Sequence, residues 1–430
     1  MSPRLRPPAP LLLVAIAAVS PGAAAFDAAT THAALTERAV FASSLKTRIA
    51  DLFAWGKDLP LGLYQTLKLP GGDARRGALL ERLGRLDPAD GGAPGDGALT
   101  AAGWLVAGAI LEETPPARAA NHRFDPTAPA GRPPSLSSVA WMSAAANDLS
   151  LARFIDARDR SLRSPAAADR AGAAAEALLV AGALLHLVED AGEPAYVHGD
   201  ASIDLFQARA PFSRYVAERY GRFAVPGPAG PPTPLSHLGD AIHKGDGSGL
   251  ADRTAGRFYS LGLIAAANHR AALGATRPRG LPPLAAGADS EGYVEDAAHR
   301  KLAAFHRAPG GDVRFSLDER CYQDAAAVLL PEAAQAALSA LEHLFRGGVS
   351  LDAGRVKSDV ALGAGRVSVL VEDEGGLRRE IAGRDVPSAE PGAELAEVPA
   401  GNEDRMVIAV FRGVDKEGEP LLAVSIAGGR

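Results

Sequence analysis

The sequence predicts a mainly α protein, a multi-helix bundle followed by a small C-terminal antiparallel β domain. From Phe26 to about Gly348, apolar residues recur with a period near 3.6, as in amphipathic helices. From Val349 onward the period falls toward two, which is typical of strands. Aromatic residues make up only 5% of the chain, whereas alanine and glycine are abundant. We therefore expect helices that pack closely through small side chains.

The composition is that of an ordinary globular protein. The chain has 430 residues, of which 47% are hydrophobic and 22% charged, so it can bury a sizeable core and global disorder is excluded. A net charge of −6 gives no overall field that would attract nucleic acid. The single cysteine, Cys321, excludes an internal disulfide framework and a cysteine-rich zinc site.

The first 25 residues have the pattern of a signal peptide. Arg4 and Arg6 form a short basic start, and the apolar run from Leu11 to Val19 is too short to span a bilayer. The small residues 23–25 then offer a cleavage site, which makes Phe26 the first residue of the mature chain. The protein is therefore predicted to be secreted or periplasmic, with no transmembrane segment in the mature chain, because no later run is long enough.

Clusters of glycine and proline divide the helical pattern into eight segments. The predicted helices are His32–Ala54, Thr100–Glu113, Leu136–Arg160, Ala166–Asp190, Pro211–Tyr220, Arg253–Leu273, Tyr293–His306 and Cys321–Arg346. In the C-terminal part, Gly375-Gly376 and Glu417-Gly418 lie between apolar runs and predict turns between strands. The expected domains are thus a helical one over 26–348 and a β-rich one over 349–430.

A histidine and a carboxylate at the end of one predicted helix form the first candidate site. His186 and Asp190 are four residues apart, so on a helix they share a face and can bind one ion. Both follow a long apolar segment, and polar groups that emerge from a buried helix need a partner. An imidazole with a carboxylate suits Zn²⁺. A plain His–Asp hydrogen bond in a helical core is the alternative interpretation.

Two segments that precede this helix in the sequence also contain histidine. His32 lies six residues after the predicted mature N-terminus. The carboxylates Glu112 and Glu113 precede a proline-rich turn that leads to His122 in the segment Asn-His-Arg-Phe-Asp-Pro. Such an irregular segment can hold His122 rigidly, although a single loop histidine is usually only solvated.

The order of these motifs resembles the superfamily of zinc-dependent phospholipases C and single-strand-specific zinc nucleases. An early histidine, a carboxylate before His-x-x-Asp-Pro and a late His-x-x-x-Asp-x-x-x-Pro follow one another here, and the resemblance covers roughly 26–347. It implies a phospholipase C/nuclease-like helical bundle around a cluster of up to three zinc ions. It also implies that the mature N-terminal amine and carbonyl join the cluster.

Carried over residue by residue, the resemblance assigns roles to this chain. His186 and Asp190 match the helix ligands, and Asp190 would bridge two ions and act in catalysis. His122 matches the loop ligand and His32 the early histidine. Glu113 is the best match for the acidic ligand that acts as general base, with Glu112 as the alternative. The backbone of Phe26 would supply the terminal ligand.

The sequence departs from the family pattern at three places. The mature chain would start with Phe26 where the family has tryptophan. The histidine expected two residues after the motif proline is Tyr196, and His198, two residues further, is the candidate ligand in its place. No later His-x-x-x-Asp/Glu pair occurs; His237 with Asp240 is a weak substitute. The resemblance therefore implies two zinc ions, with the third site remodelled or lost.

The expected function is a secreted zinc-dependent phosphodiesterase. Metal-activated water would cleave a phosphodiester, with Glu113 orienting or deprotonating that water. Phospholipid is favoured over nucleic acid as substrate because the net charge is negative, and contact with a membrane surface would follow. Two alternatives remain: a non-catalytic relative that serves as a metal-binding or surface-interaction protein, and a zinc nuclease acting on single-stranded nucleic acid.

Overall fold

A computed structural model describes residues 26–55, 62–69, 74–84, 97–131, 133–200, 210–272, 284, 290–402 and 404–428. The predicted signal peptide, 1–25, lies outside the described residues. The α-helices are α1 Ala33–Ala42, α2 Leu45–Leu52, α3 Ala74–Gly84, α4 Ala101–Leu111, α5 Ser138–Ser143, α6 Leu151–Arg163, α7 Ala167–Glu189, α8 Pro194–Val197, α9 Pro211–Ala224, α10 Leu250–Arg257, α11 Leu261–Ala272 and α12 Glu319–Leu344. The strands are β1 Thr66–Lys68, β2 Ala98–Thr100, β3 Glu291–Glu295, β4 Lys301–Arg307, β5 Val313–Ser316, β6 Val349–Asp352, β7 Arg355–Ser358, β8 Leu362–Glu372, β9 Arg378–Val386, β10 Glu394–Glu397, β11 Met406–Asp415 and β12 Pro420–Ala427.

The fold is mainly α with a C-terminal antiparallel β region, as predicted, but one predicted helix is wrong. The segment Tyr293–His306 forms most of strands β3 and β4, which pair with β5 in a three-stranded antiparallel sheet. The Asp296 carboxylate accepts hydrogen bonds from the backbone at Ala298 and Arg300, and this Asx turn reverses the chain. The alanines in the segment are typical of helices and led to the wrong prediction. In the structure, Phe305 pairs across the sheet and packs into a small core.

Polar side chains divide two of the longer predicted helices. The Ser43 hydroxyl bonds the Val40 carbonyl and separates α1 from α2. The Asn147 side chain donates to the Trp141 carbonyl and accepts from the Leu149 amide, which separates α5 from α6. Such side chains compete with the backbone for the bonds that continue a helix.

Helix α7 forms the centre of the bundle. From Ala173 to its end every side chain is buried. Contrary to the expectation that no later run is long enough, α7 with the turn that follows it has the length and apolarity to cross a membrane. Its surface is covered almost entirely by the rest of the protein, as for the core helix of a globular fold. The charged end of this helix therefore emerges inside the molecule.

Two glycines bring α4 and α7 into backbone contact. A Cβ atom added at Gly182 would lie 1.8 Å from the Leu105 carbonyl oxygen, and one added at Gly108 would lie 1.8 Å from that of Leu179. Only residues without a side chain allow this reciprocal approach. The crossing brings the C-terminal ends of the two helices together, with His186 beside Ala109.

The C-terminal strands build a two-layer β unit whose larger sheet has both faces covered. The larger sheet has the order β12-β11-β8-β9 and the smaller one β10-β7-β6. Along β11, Val407 and Phe411 face the core between the sheets, whereas Ile408 and Val410 join the core of the helical bundle. The helices and the larger sheet therefore share one hydrophobic core.

Candidate metal centre

His186 and Asp190 meet at the end of α7, as their spacing predicts. His186 lies in the last turn of α7 and Asp190 begins the short 3₁₀ turn that follows. Their side chains are fully buried, with His186 Nε2 3.2 Å from Asp190 Oδ2.

His122 completes a triangle of donor atoms with these two residues. It follows the 3₁₀ turn Pro116–Asn121, and its Nδ1 lies 3.0 Å from Asp190 Oδ2 and 3.2 Å from His186 Nε2. A tetrahedral zinc ion with bonds of roughly 2.0–2.1 Å spaces its ligand atoms about 3.3 Å apart. The three observed separations therefore match three corners of such a tetrahedron.

His32 and Glu113 reach the same place from two other elements. His32 ends a short helical turn before α1, and its Nε2 lies 3.0 Å from Asp190 Oδ1. Its ring stacks on that of His186 at a centroid distance of 3.8 Å. Glu113, just beyond α4, places Oε1 4.0 Å from His186 Nε2. The structure thus brings together five of the predicted residues: His32, Glu113, His122, His186 and Asp190.

Several polar atoms in this cluster are buried and make no hydrogen bond within the described part of the chain. They are Asp190 Oδ1 and Oδ2, His32 Nε2, His122 Nε2 and Glu113 Oε1. The imidazole nitrogens around Asp190 are close enough for hydrogen bonds to its oxygens, yet none has the required alignment. A plain His–Asp hydrogen bond therefore does not account for the arrangement. A cation between the donor atoms would use all of these atoms except His122 Nε2, which faces Glu112.

Outer partners fix the orientation of two of the imidazoles. His32 Nδ1 lies 2.7 Å from Glu189 Oε2, and the other oxygen of Glu189 accepts a hydrogen bond from the Thr36 hydroxyl. His186 Nδ1 lies 2.7 Å from the Ala109 carbonyl oxygen, to which it donates. With Nδ1 engaged in this way, each Nε2 faces the centre with its lone pair, as in many zinc sites.

The two adjacent glutamates at the end of α4 have different partners. Glu112 is fully buried, forms a salt bridge with Arg118 at 2.6 Å, and accepts a hydrogen bond from Trp141 Nε1. Its Oε1 lies 3.5 Å from His122 Nε2, on the outer side of that ring. Glu113 faces the donor cluster and is 19% exposed. The geometry therefore favours Glu113 as the acidic ligand and places Glu112 in the outer layer.

Burial and neighbouring charges shift the pKa values of the cluster residues in opposite directions. Burial alone would raise the pKa of Asp190, but the facing histidines hold it well below its usual range. Burial lowers the pKa of His32, whereas Asp190 and Glu189 together raise it to about 10. The pKa of His122 is likewise raised to about 9, by Asp190 and Glu112 against burial. A metal ion would therefore compete with protons for these imidazoles.

Other predicted ligands lie outside the cluster. His198 is not brought into it, because its Nε2 is 2.8 Å from the Phe258 carbonyl oxygen. The Phe26 ring is buried with its centroid 5.8 Å from that of His32, and its backbone ligation stays a prediction. His237 and Asp240, the substitute pair for the third zinc site, are engaged with each other. The Asp240 carboxylate accepts a hydrogen bond from the backbone N–H of His237 in a capping box.

Sequence reasoning missed the outer partners of the cluster. Glu189 is adjacent to Asp190, but nothing in the sequence pairs it with His32 across 157 positions. Trp141 is buried in the hydrophobic core, and its indole N–H also donates a hydrogen bond to Glu112. The Ala109 carbonyl is a backbone group and leaves no signal in the sequence.

Comparison with known proteins finds a similarity in structure but none in sequence. No family model and no curated protein matches the chain. Among solved structures, the chain is similar to the alpha toxin from Clostridium absonum, at 12% identity over 93% of this chain and 93% of the toxin chain, with a TM-score of 0.33. The functional interpretation accordingly rests on the geometry of the five converging side chains.

Proposed function

We propose that this protein is a zinc-dependent phosphodiesterase. The observation that carries the proposal is the environment of Asp190. This fully buried carboxylate contacts three imidazoles, and neither of its oxygens accepts a hydrogen bond from any described residue. A cation explains this arrangement, and the imidazole and carboxylate donors suit zinc.

The two oxygens of Asp190 divide the donors into two sets, which supports two ions. Oδ1 faces His32, whereas Oδ2 faces His122 and His186. This division supports the proposal that Asp190 would hold two ions, the role that the family resemblance implies. Glu113 lies on the His32 side, because its Oε1 groups with His32 and His186.

The exposure of the cluster indicates where substrate would enter. Four of the five side chains are at most 1% exposed and Glu113 is 19% exposed, so the approach past Glu113 is the one that we propose for substrate. When bound, a zinc pair lowers the pKa of water toward 7 and neutralises charge on a phosphodiester. Glu113 would accept the proton of the attacking water, because its Oε1 faces the donor cluster and makes no hydrogen bond with any described residue.

Arg123 would contact the phosphate of the substrate. It follows His122 directly, and its guanidinium lies 5.6 Å from the centroid of the buried Tyr196 ring. This guanidinium makes no hydrogen bond or ion pair with any described residue. The neighbouring Arg118 is already bound to Glu112 and Asp148. An anionic diester therefore finds one uncommitted cation beside the centre. Phospholipid is proposed ahead of nucleic acid because the net charge is −6.

Metal analysis and hydrolysis assays test the proposal together. The mature protein should hold two zinc ions per chain and cleave both bis-p-nitrophenyl phosphate and phosphatidylcholine vesicles. A chelator should abolish cleavage, as should Asp190→Asn, and His186→Ala should lose zinc. The exposed His306 provides a matched control, so His306→Ala should retain both properties.

Two results would overturn the proposal in different ways. Cleavage that is unaffected by a chelator would exclude the metal mechanism. Bound zinc without cleavage of any phosphodiester would instead favour a non-catalytic metal-binding protein. The tyrosine at position 196, where the family has histidine, is the feature that favours this alternative. Loss of zinc in His198→Ala would show that the ligand set differs from the one proposed here.

A further inference from the structure

A fully buried arginine lies where the helical bundle meets the β unit. Arg158, in the middle of α6, has no exposed surface. Its Nη1 donates to the Leu422 carbonyl on β12 at 2.7 Å, and its guanidinium carbon lies 5.2 Å from the centroid of the Phe345 ring. Its Nε and Nη2 have no hydrogen-bond partner among the residues that the structure describes. These two nitrogens occupy one edge of the planar guanidinium, so one acceptor can bind both.

The other buried arginines of the protein show how unusual this environment is. Arg378 lies 2.6 Å from Glu372, Arg170 lies 3.0 Å from the same carboxylate, and Arg118 lies 2.6 Å from Glu112. Arg158 contacts no carboxylate among the described residues. Each of the other three has a counter-charge, and Arg158 does not.

The charges near Arg158 are positive. Burial, followed by the charges of Arg48 and Arg346, lowers its pKa to about 9. Arg346 is paired with Asp415 and Glu419. The Arg48 guanidinium makes no ion pair with a described residue, and its one hydrogen bond to such a residue is with the Ser44 hydroxyl, at 3.4 Å. A buried cation without a counter-charge costs several kcal/mol, and two unpaired guanidiniums near each other cost more.

We infer that a small inorganic anion, chloride in particular, binds the Nε–Nη2 edge of Arg158 between the bundle and the β unit. The complete burial of the arginine limits the ligand to a few atoms at most, and the field of Arg48 strengthens its attraction for a negative charge. The anion would link α6 to β12 and to the end of α12, so it would stabilise the contact between the two parts. This inference is independent of the metal centre.

Thermal unfolding at constant ionic strength tests the anion site. We would unfold the full-length protein while sodium chloride replaces sodium gluconate. The midpoint should rise by several degrees and saturate with chloride, because an anion that binds only the folded state stabilises it. Arg158→Met should fold without responding to chloride. Arg412→Met should respond as wild type, since Arg412 is paired with Asp159 at 3.0 Å in the same contact region.

Two further measurements keep the inference falsifiable. Crystals soaked in bromide should show an anomalous peak within hydrogen-bond distance of Arg158 Nε and Nη2, and this holds even if Arg158→Met does not fold. His186→Ala should retain the chloride response, which separates the anion from any halide at the metal centre. Equal midpoints in chloride and gluconate, a full response in Arg158→Met, or no bromide peak at Arg158 would each overturn the inference.

Discussion

The contact between α4 and α7 makes Gly182→Ala an informative substitution. The new Cβ would lie 1.8 Å from the Leu105 carbonyl oxygen, whereas ordinary contact begins at 3.4 Å, so the helices must separate by about 1.6 Å. The hydrogen bond from His186 Nδ1 to the Ala109 carbonyl, now 2.7 Å long, would then break. The perturbation therefore reaches the metal centre although Gly182 touches none of its ligands.

The expected loss of stability follows from these distances. Overpacking costs about 1–3 kcal/mol and the lost buried hydrogen bond about 1 kcal/mol. The better helix propensity of alanine offsets about 1 kcal/mol of this cost, so the free energy of unfolding should fall by about 2 kcal/mol. Zinc affinity should fall roughly 10- to 100-fold, because the outer partner of His186 is lost.

Chemical denaturation and competitive zinc titration would measure the two effects. Gly77 in α3 is the matched control, because a Cβ added there meets nothing within 4 Å. Gly77→Ala should stabilise the protein by about 0.5–1 kcal/mol and leave zinc affinity unchanged. If Gly182→Ala were as stable as Gly77→Ala and bound zinc as tightly as wild type, the proposed backbone contact would be refuted.

Three further substitutions test other parts of the site. Glu189→Gln should weaken zinc binding roughly 10- to 100-fold, measured by competitive titration, because the carboxylate no longer supports His32. Arg123→Ala should lower kcat/KM for a charged diester roughly 100-fold, with partial recovery in Arg123→Lys; an unchanged value would remove Arg123 from substrate binding. Burial raises the pKa of Glu193 from 4.5 to about 7 despite the hydrogen bond from Ser213, so its contribution to stability is complete below pH 4.5 and is lost as the pH rises to 7. Denaturation at pH 5 and pH 8 should therefore show a smaller loss in Glu193→Gln than in wild type, and parallel pH profiles would contradict this.

The sequence predicts the features that local spacing controls. The four-residue interval between His186 and Asp190 places both on one face of α7, and the alternation after Val349 predicts the β unit. It does not choose between Glu112 and Glu113, because that choice depends on Arg118, which binds one of the two carboxylates after the chain has folded back.

Other features depend on contacts that no local pattern records. Strands β3 and β4 form from an alanine-containing segment because they pair with each other and with β5 and pack into a small apolar core. Arg158 looks like an ordinary surface residue of an amphipathic helix until β12 covers it. In both cases, tertiary packing outweighs local propensity.

The hydrophobic core shared by the helices and the larger sheet has a mechanical consequence. A domain on a flexible tether could rotate freely, but here Ile408 and Val410 belong to the same core as α7, and Arg378 donates to the Leu162 carbonyl at the end of α6. The two parts should therefore tumble as one body. Whatever holds the β unit, whether a bilayer or another protein, would also set the direction in which Glu113, the most exposed of the five cluster side chains, faces.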